Sequence, residues 1–389
     1  MDLSLSEEQQ QIVDSAVTYL QEACTMPAVR IASESDSGLD TALWSGMAEL
    51  GWCGVHLPEE AGGLGLGLVE LALLQEQLGR RLGCVPFFDS VALAATALRE
   101  LPDSALAQQW LEQLASGEKK AALALPPEDG GLPATAAAAP TAPRARQTDS
   151  GWTLDGAWPQ VGSAAMADVL LLSAQGESGE RLLFAVPADS VGLQVQPLTT
   201  LDTTRRMASV ACTAVQLPAD HCLGQGAALD AVLARVQQLG AIALAAEQVG
   251  VAQQCLDLTL EYAAQRVQFD RAIAGFQAVK HRCGEMLVAL EGARSAVYGA
   301  ACIADTVPDA ATLLFHAAQA RVAATEAAQF CAREALQLHG GVGFTWEYDP
   351  HLYLRRAQAS SQRLGPLPWW LEQVAAQLID HSESTEQTA

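Results

Sequence analysis

The chain has 389 residues, half of them hydrophobic but only 5% aromatic, and a formal net charge of −23 from 22 Lys and Arg against 45 Asp and Glu. That length exceeds one simple core and implies two or three domains. The charge argues against nucleic acid or an anionic membrane surface as a partner.

Ala and Leu dominate the apolar content, which points to helical packing rather than a β-sandwich. Polar residues interrupt every apolar run well before the roughly 18 residues of a membrane span, so none is expected. The start, Met1 to Glu8, is acidic and lacks the basic region of a secretory signal. Nine cysteines are scattered singly with no Cys-x-x-Cys pair. That usage suits reduced thiols in a cytoplasmic protein and argues against a metal site.

In chain order, residues 1–118 read as a helical domain. Ser4 or Ser6 before Glu7 and Glu8 is a capped start, with Ile12, Val13, Val17 and Leu20 along one side. Gly51 to Gly65 is punctuated by Gly and Pro and reads as a loop, in which His56, Glu59 and Glu60 are ordinary loop polarity. Leu68 to Arg81 returns to helical spacing. Residues 119–225 change texture. Ala121–Leu125, Gly151–Leu154, Val169–Ser173, Arg181–Val186, Leu193–Pro197 and Val210–Leu217 are short, apolar or alternating, and read as strands of a small β-domain. Ala134 to Arg146 is an Ala/Pro/Arg tract expected to be an exposed loop. Residues 226–389 are helical again: Leu229–Ala264, Gly275–Val307, Asp309–His339 and Pro368–His381 give four or five long helices. Small residues at many apolar positions allow close helix packing, and the polar tail from Ser382 is expected to be disordered.

Two stretches at the edges of these helices carry chemistry. Arg266-Val-Gln-Phe-Asp-Arg-Ala-Ile273, with Gly275-Phe276-Gln277 behind it, combines a cation, an aromatic ring and amides at a helix end. Those are means of gripping a phosphate and covering a flat ring. Gln337-Leu-His-Gly-Gly-Val-Gly343 places adjacent glycines after a helix, where backbone N–H groups can approach an anion unobstructed. Read as residues alone, Arg266 is equally a surface charge, Phe269 a core residue and the glycines a helix C-cap.

The order R-x-x-F-x-x-x-I-x-x-F-Q, then Q-x-x-G-G-x-G-[FY] about sixty residues later, resembles the acyl-CoA dehydrogenase family. So does the Leu57 to Gly65 loop, with its Pro58-Glu59 and its double glycine. The resemblance spans the whole chain. It implies a mainly α fold with a small β-domain: an N-terminal helical domain, a middle β-domain and a C-terminal helical bundle. In the family the two stretches reach across a dimer interface to the neighbour's FAD. Arg266 then looks like the pyrophosphate ligand and Phe269 the adenine-side contact, with Gln268 and Gln277 beside them. Gln337, Gly340 and Gly341 look like a second clamp on the same cofactor. Asp270 stands where the family usually has Gly.

The residues that would serve the chain's own flavin depart from the family. Leu125 to Gly131 replaces a T-E-P-x-A-G-S-D-like segment, and Gln160-Val-Gly-Ser163 replaces a W-I-T-N-like one. Trp158, two positions early, is not expected to substitute. Dehydrogenation needs a carboxylate base near the α-carbon. Aligning Arg355-Arg-Ala357 and Gly365 with the family puts Leu364 on the usual base position; counting back from Gly250 puts Gly240 on the alternative one, with Ala241 where a supporting Arg often stands. Glu247 lies two turns from Gly240, Glu372 follows the insertion-like Gly365 to Trp370, and Glu347 and Asp349 are expected to face solvent; none is assigned as the base.

CoA thioesters are polyanions, so a chain this acidic must concentrate its few cations, leave the anion to another subunit, or be acidic for solubility alone. The resemblance therefore implies a subunit of a heteromeric (α2β2) acyl-CoA dehydrogenase, acting on an acyl-CoA such as a steroid-derived thioester. No catalytic residue is assigned to this chain, which would complete the FAD site of a catalytically intact second subunit. An electron-transfer flavoprotein is the kind of acceptor implied. The alternatives are a self-sufficient homotetrameric dehydrogenase with a relocated base, and a flavin-free scaffold or acyl-CoA-binding protein.

Overall fold

The computed structural model describes residues 5–101, 104–125 and 143–386, with side chains described as far as residue 379. Helical, sheet and helical regions follow one another as the resemblance implies. The first contains α1 (Glu7–Ala23), α2 (Met26–Glu34), α3 (Thr41–Glu49) and α4 (Leu68–Arg81), a π-helical segment Phe87–Ala95 continuing into α5 (Thr96–Arg99), and α6 (Ala105–Ala115). Ser6 is the N-cap of α1: its Oγ accepts from Gln9 N–H at 3.1 Å while Gln9 Oε1 accepts from Ser6 N–H at 3.0 Å. The 51–65 segment holds only short 3-10 turns, but His56 within it is buried, contrary to its reading as loop polarity. The turn folds its ring against Thr96.

The sheet region holds β1 (Ala121–Ala124), β2 (Arg144–Thr148), β3 (Gly151–Gly162), β4 (Val169–Gln175), β5 (Arg181–Pro187), β6 (Leu193–Pro197), β7 (Met207–Pro218) and β8 (Cys222–Gln225). They form one sheet in the order β6-β7-β3-β2-β4-β5-β8, with β1 parallel to β4. Its own core includes Leu154, Trp158, Phe184 and Val210. Arg144 to Arg146 are strand, not loop: β2 pairs with β3 with only Ala145 turned inward. Residues 134–142 of the expected loop, and the Leu125–Gly131 segment from Pro126 on, lie outside the described residues.

The last region is α7 (Gly226–Gln265), the hairpin β9 (Val267–Gln268) and β10 (Arg271–Ala272), α8 (Gln277–Asp305), α9 (Ala310–His339), α10 (Pro350–Ser360) and α11 (Leu367–Glu386). α11 continues through Ser382 to Glu386, beyond the expected end of order. The insertion-like Gly365 to Trp370 stretch runs into the first turn of that helix, where Trp370 is fully buried. Both helical regions share one core. α4 and α7 cross at reciprocal glycines. A Cβ on Gly250 would collide with Glu76 O, and one on Gly79 with Glu247 O, so the backbones touch and Glu247 is fixed at the centre of the molecule. By length and mean hydropathy α7 and α8 would each pass as a membrane span, which the sequence reading did not anticipate. The apolar window is 61% buried within the chain for α7 and 33% for α8.

Candidate functional site

The two motif stretches come together at one end of the C-terminal bundle. Tyr262, in the last turn of α7, stacks on His339, the last residue of α9, with ring centroids 4.3 Å apart. His339 Nδ1 is held by Ala335 O at 2.7 Å, so the two helix ends are locked to each other. Arg266 follows as the C-cap of α7. Its N–H donates to Tyr262 O at 2.8 Å and its carbonyl accepts from Ile273 N–H at 2.8 Å, while its guanidinium has no partner among the described residues. Phe269 and Asp270 turn the hairpin between Gln268 and Arg271, both with positive φ (52° and 59°). Two such residues make the tight turn that suits a twisted hairpin. Asp tolerates this conformation better than most residues with a side chain, which explains how Asp270 can stand in for Gly.

The turn lifts Phe269 into solvent, where it is 85% exposed. Its ring edge meets Phe276, over which the Arg271 guanidinium sits at 4.0 Å. Gln268, Gln277 and Gln337 are exposed as well. Gly340, at φ 64°, ends α9, and a Cβ on Gly340 or Gly341 would meet nothing within 4 Å. An unpaired cation, a projecting ring, amides and unobstructed backbone fit a phosphate-bearing cofactor presented from outside the chain.

The chain's own cleft is built differently. Leu364 and Gly240, far apart in sequence, are neighbours: a Cβ on Gly240 would lie 3.3 Å from Leu364 Cδ1 and collide with Leu93 Cδ2. The two positions that the resemblance aligns with the family's base thus lie side by side, and Leu93 and Leu364 occupy the space there. Beside it, Ser163 Oγ donates to Asp89 Oδ2 at 2.6 Å, and Asp89 pairs with Arg363. A Cβ on Gly162 would collide with that ion pair. Arg363 lies 4.8 Å above the Phe88 ring and Arg205 5.5 Å from it. Trp158 does not reach this place; it is buried in the sheet core with Nε1 donating to Ser173 O at 3.0 Å.

Glu247 belongs to the same network. It pairs with Arg205, lies 3.6 Å from Arg356 Nη1, and accepts from Gln75 Nε2 at 3.1 Å and Ser360 Oγ at 3.2 Å. Burial would raise its carboxyl, but Arg205, Arg356 and Arg363 outweigh that and hold it below the ordinary value. Asp89 is likewise held low, by Arg363 against its burial, and Asp202 by Arg356 at 2.7 Å. Burial pushes Arg205 down to about 10 and Arg321 to about 9. The space lined by Phe88, Asp89, Thr204, Arg205, Glu247 and Arg356 amounts to ≈ 10 Å³, too little for a flavin ring, and those lining residues do not fit one. Of the other acids, Glu347 and Glu372 are exposed. Asp349 does not face solvent freely; it binds Arg30 at 2.6 Å and ties α2 to the start of α10.

The sequence reading missed this network. Arg205 and Arg363 carry no pattern that separates them from surface arginines, Arg356 stands in a segment read only as an alignment mark, and their partners lie far off in the chain, over a hundred residues away for Arg356 and Arg363. The local signals were Arg363 directly before Leu364, Arg356 within the Arg355-Arg-Ala357 segment, and Glu247 two turns from Gly240.

Family models for the acyl-CoA dehydrogenase N-terminal and C-terminal domains match residues 6–118 and 231–379. The chain is 35% identical over 362 residues to acyl-CoA dehydrogenase IpdE2 of Mycobacterium tuberculosis (strain ATCC 25618 / H37Rv), covering 92% of this chain and 93% of that one. A crystal structure of the ChsE4–ChsE5 complex from Mycobacterium tuberculosis superposes with a TM-score of 0.86 at 28% identity, over 97% of this chain and 99% of that one. A single-substitution variant of the Tcur3481–Tcur3483 steroid ACAD gives 0.84 at 29% identity, over 98% and 100%.

Proposed function

The chain belongs to the acyl-CoA dehydrogenase family, and from that premise we propose that it is the non-catalytic subunit of a heteromeric α2β2 enzyme. The complex dehydrogenates an acyl-CoA at its α and β carbons, with a steroid-derived thioester as the substrate. The observation that carries this reading is the pairing of an open cofactor end with a closed cleft. Arg266, Phe269, Gly340 and Gly341 face outward, while Leu93, Leu364 and the Asp89–Arg363 pair fill the space inside.

When bound, FAD supplies the acceptor for the β-hydride. This chain contributes the Arg266 cation for the pyrophosphate, Phe269 for the adenine side, and the Gln337, Gly340 and Gly341 clamp, with Gln268 and Gln277 beside them. The second subunit provides the base and its own flavin-facing strands. The outer face of α8 supports a subunit contact there. Val288 is 74% exposed, Leu287 is exposed beside it, and Gly284, Gly292 and Gly299 have open space over them. An apolar face of that kind marks an interface. The substrate class rests on the likeness to a steroid ACAD; an electron-transfer flavoprotein is the acceptor of choice.

The test is to change Glu247, Glu347 and Glu372 singly to Gln in the assembled complex. Turnover per assembled, flavin-loaded complex should stay nearly constant, since loss of a true base costs at least about a hundredfold. A loss of that size from any one of them, with flavin content and assembly intact, would mean that this chain carries its own base.

A further inference from the structure

The hairpin that follows Arg266 carries a second arginine that the cofactor contacts leave without a role. Arg271 stands opposite Gln268 across β9 and β10, and Ala272 opposite Val267. The pairing continues to Arg266, whose carbonyl accepts from Ile273 N–H at 2.8 Å. Side chains alternate along each strand, so Arg266, Gln268 and Arg271 share one face of the hairpin. Neither arginine has an acidic partner among the described residues.

Arg271 differs from Arg266 in what it rests on. Its guanidinium carbon lies 4.0 Å from the centroid of the Phe276 ring, well within the range at which a cation is held over an aromatic face. The stem passes close over Gly275, where a Cβ would lie 3.5 Å from Arg271 Cδ and 3.9 Å from Nε. Phe276 is fixed through its backbone as the N-cap of α8. Its N–H donates to Ile273 O at 3.0 Å, and its carbonyl accepts from Val279 and Lys280 N–H, both at 3.1 Å. The same ring meets Phe269 edge-on, with centroids 6.1 Å apart and planes at 82°.

Phe269 is the residue that gains from this support. It sits in the turn at φ 52° and is 85% exposed, so no core packing selects its rotamer. A ring free in water gives up side-chain freedom when it meets a ligand, and a contact that orients it beforehand lowers that cost.

We propose that Arg271 is a positioning residue. Stacked on Phe276, it holds that ring against Phe269, and so presents Phe269 in the orientation that meets the adenine of the neighbouring subunit's FAD. Arg271 itself makes no bond to the cofactor. This role rests on the bundle end being a FAD contact.

The experiment titrates FAD into the flavin-stripped complex of this chain with a catalytically intact acyl-CoA dehydrogenase subunit, reading flavin fluorescence. Arg271→Gln should weaken FAD binding about two- to fivefold, the size of an exposed cation–ring contact. Arg271→Lys, which keeps a cation over the ring, should recover most of that loss. In a Phe276→Leu background Arg271→Gln should cost nothing further, because the contact through which it acts is already gone. An equal loss in that background would make Arg271 a direct phosphate ligand and overturn the proposal, as would unchanged affinity in Arg271→Gln. Arg266→Ala, measured alongside, separates the two levels. If it weakens FAD binding while Arg271→Gln does not, only the positioning role falls; if neither does, the bundle end is not a cofactor contact at all.

Discussion

Arg266 and Arg363 are the same residue type put to opposite use, and so are Gly340 and Gly162. At the end of the bundle Arg266 is exposed and has no partner among the described residues, and the space over Gly340 is open. In the central cleft Arg363 is buried against Asp89, and Gly162 is a glycine because that ion pair leaves no room for a side chain. A cation in water costs nothing to keep and is free to meet a partner's anion. A buried cation survives only with a matched acid and full hydrogen bonding. The contrast teaches that one residue type can be held for opposite ends: in the central cleft the charges satisfy one another, and under the proposed function the outward groups are those a neighbour's cofactor would meet.

The sharpest way to break that comparison is to remove one buried partner. Asp89→Ala leaves Arg363 uncompensated beside Phe88 and should destabilise the chain by about 3–5 kcal/mol, measured as a shift of the urea midpoint at constant slope. A change near zero would mean that the cleft is wetter and looser than its contacts indicate. Arg266→Ala should do the reverse. Stability should hardly move, whereas FAD retention in the complex should fall roughly ten- to a hundredfold, read from flavin absorbance after dialysis. Unchanged retention would remove the exposed end from the cofactor.

A smaller effect comes from pH. His56 titrates near its ordinary value when unfolded but at about 3 when folded, so between those values the unfolded state takes up a proton that the native state refuses. The stabilisation is complete above about pH 6.5 and drains away as pH falls towards 3, by at most roughly 1.4 kcal/mol per unit from this residue. His339 and His351, also lowered by burial, add in the same direction. Asp89, Asp202 and Glu247, held low by their arginines, lose their share further down. His56→Gln should flatten the upper part of the slope in equilibrium unfolding, whatever it does to stability at neutral pH.

Much of the architecture was legible in the sequence because its long helices announce themselves. Asp309 caps α9 where the reading placed its start, and Leu193–Pro197 is strand to the residue. What escaped was short or atypical. β2 turns only Ala145 inward, so no alternation marks it. α10 begins at Asp349–Pro350 and carries Arg355 and Arg356, which read as a motif rather than as a helix. At the bundle end the types and spacing of Arg266, Phe269 and Gly340 were enough to draw attention to them. The buried network was illegible for a physical reason: an arginine shows in sequence neither its burial nor its partner, and only folding brings Arg205 to Glu247 and Arg363 to Asp89. His56 was misread on the same ground, since a polar residue in a loop looks exposed until the loop folds inward.

The most direct test counts flavin. The chain should be purified alone and then together with a catalytically intact acyl-CoA dehydrogenase subunit, with FAD measured per mole of each chain. The account predicts no stoichiometric FAD on the chain alone and one FAD for each pair of unlike chains in the complex. One FAD per chain in the isolated protein, with turnover of an acyl-CoA, would contradict it.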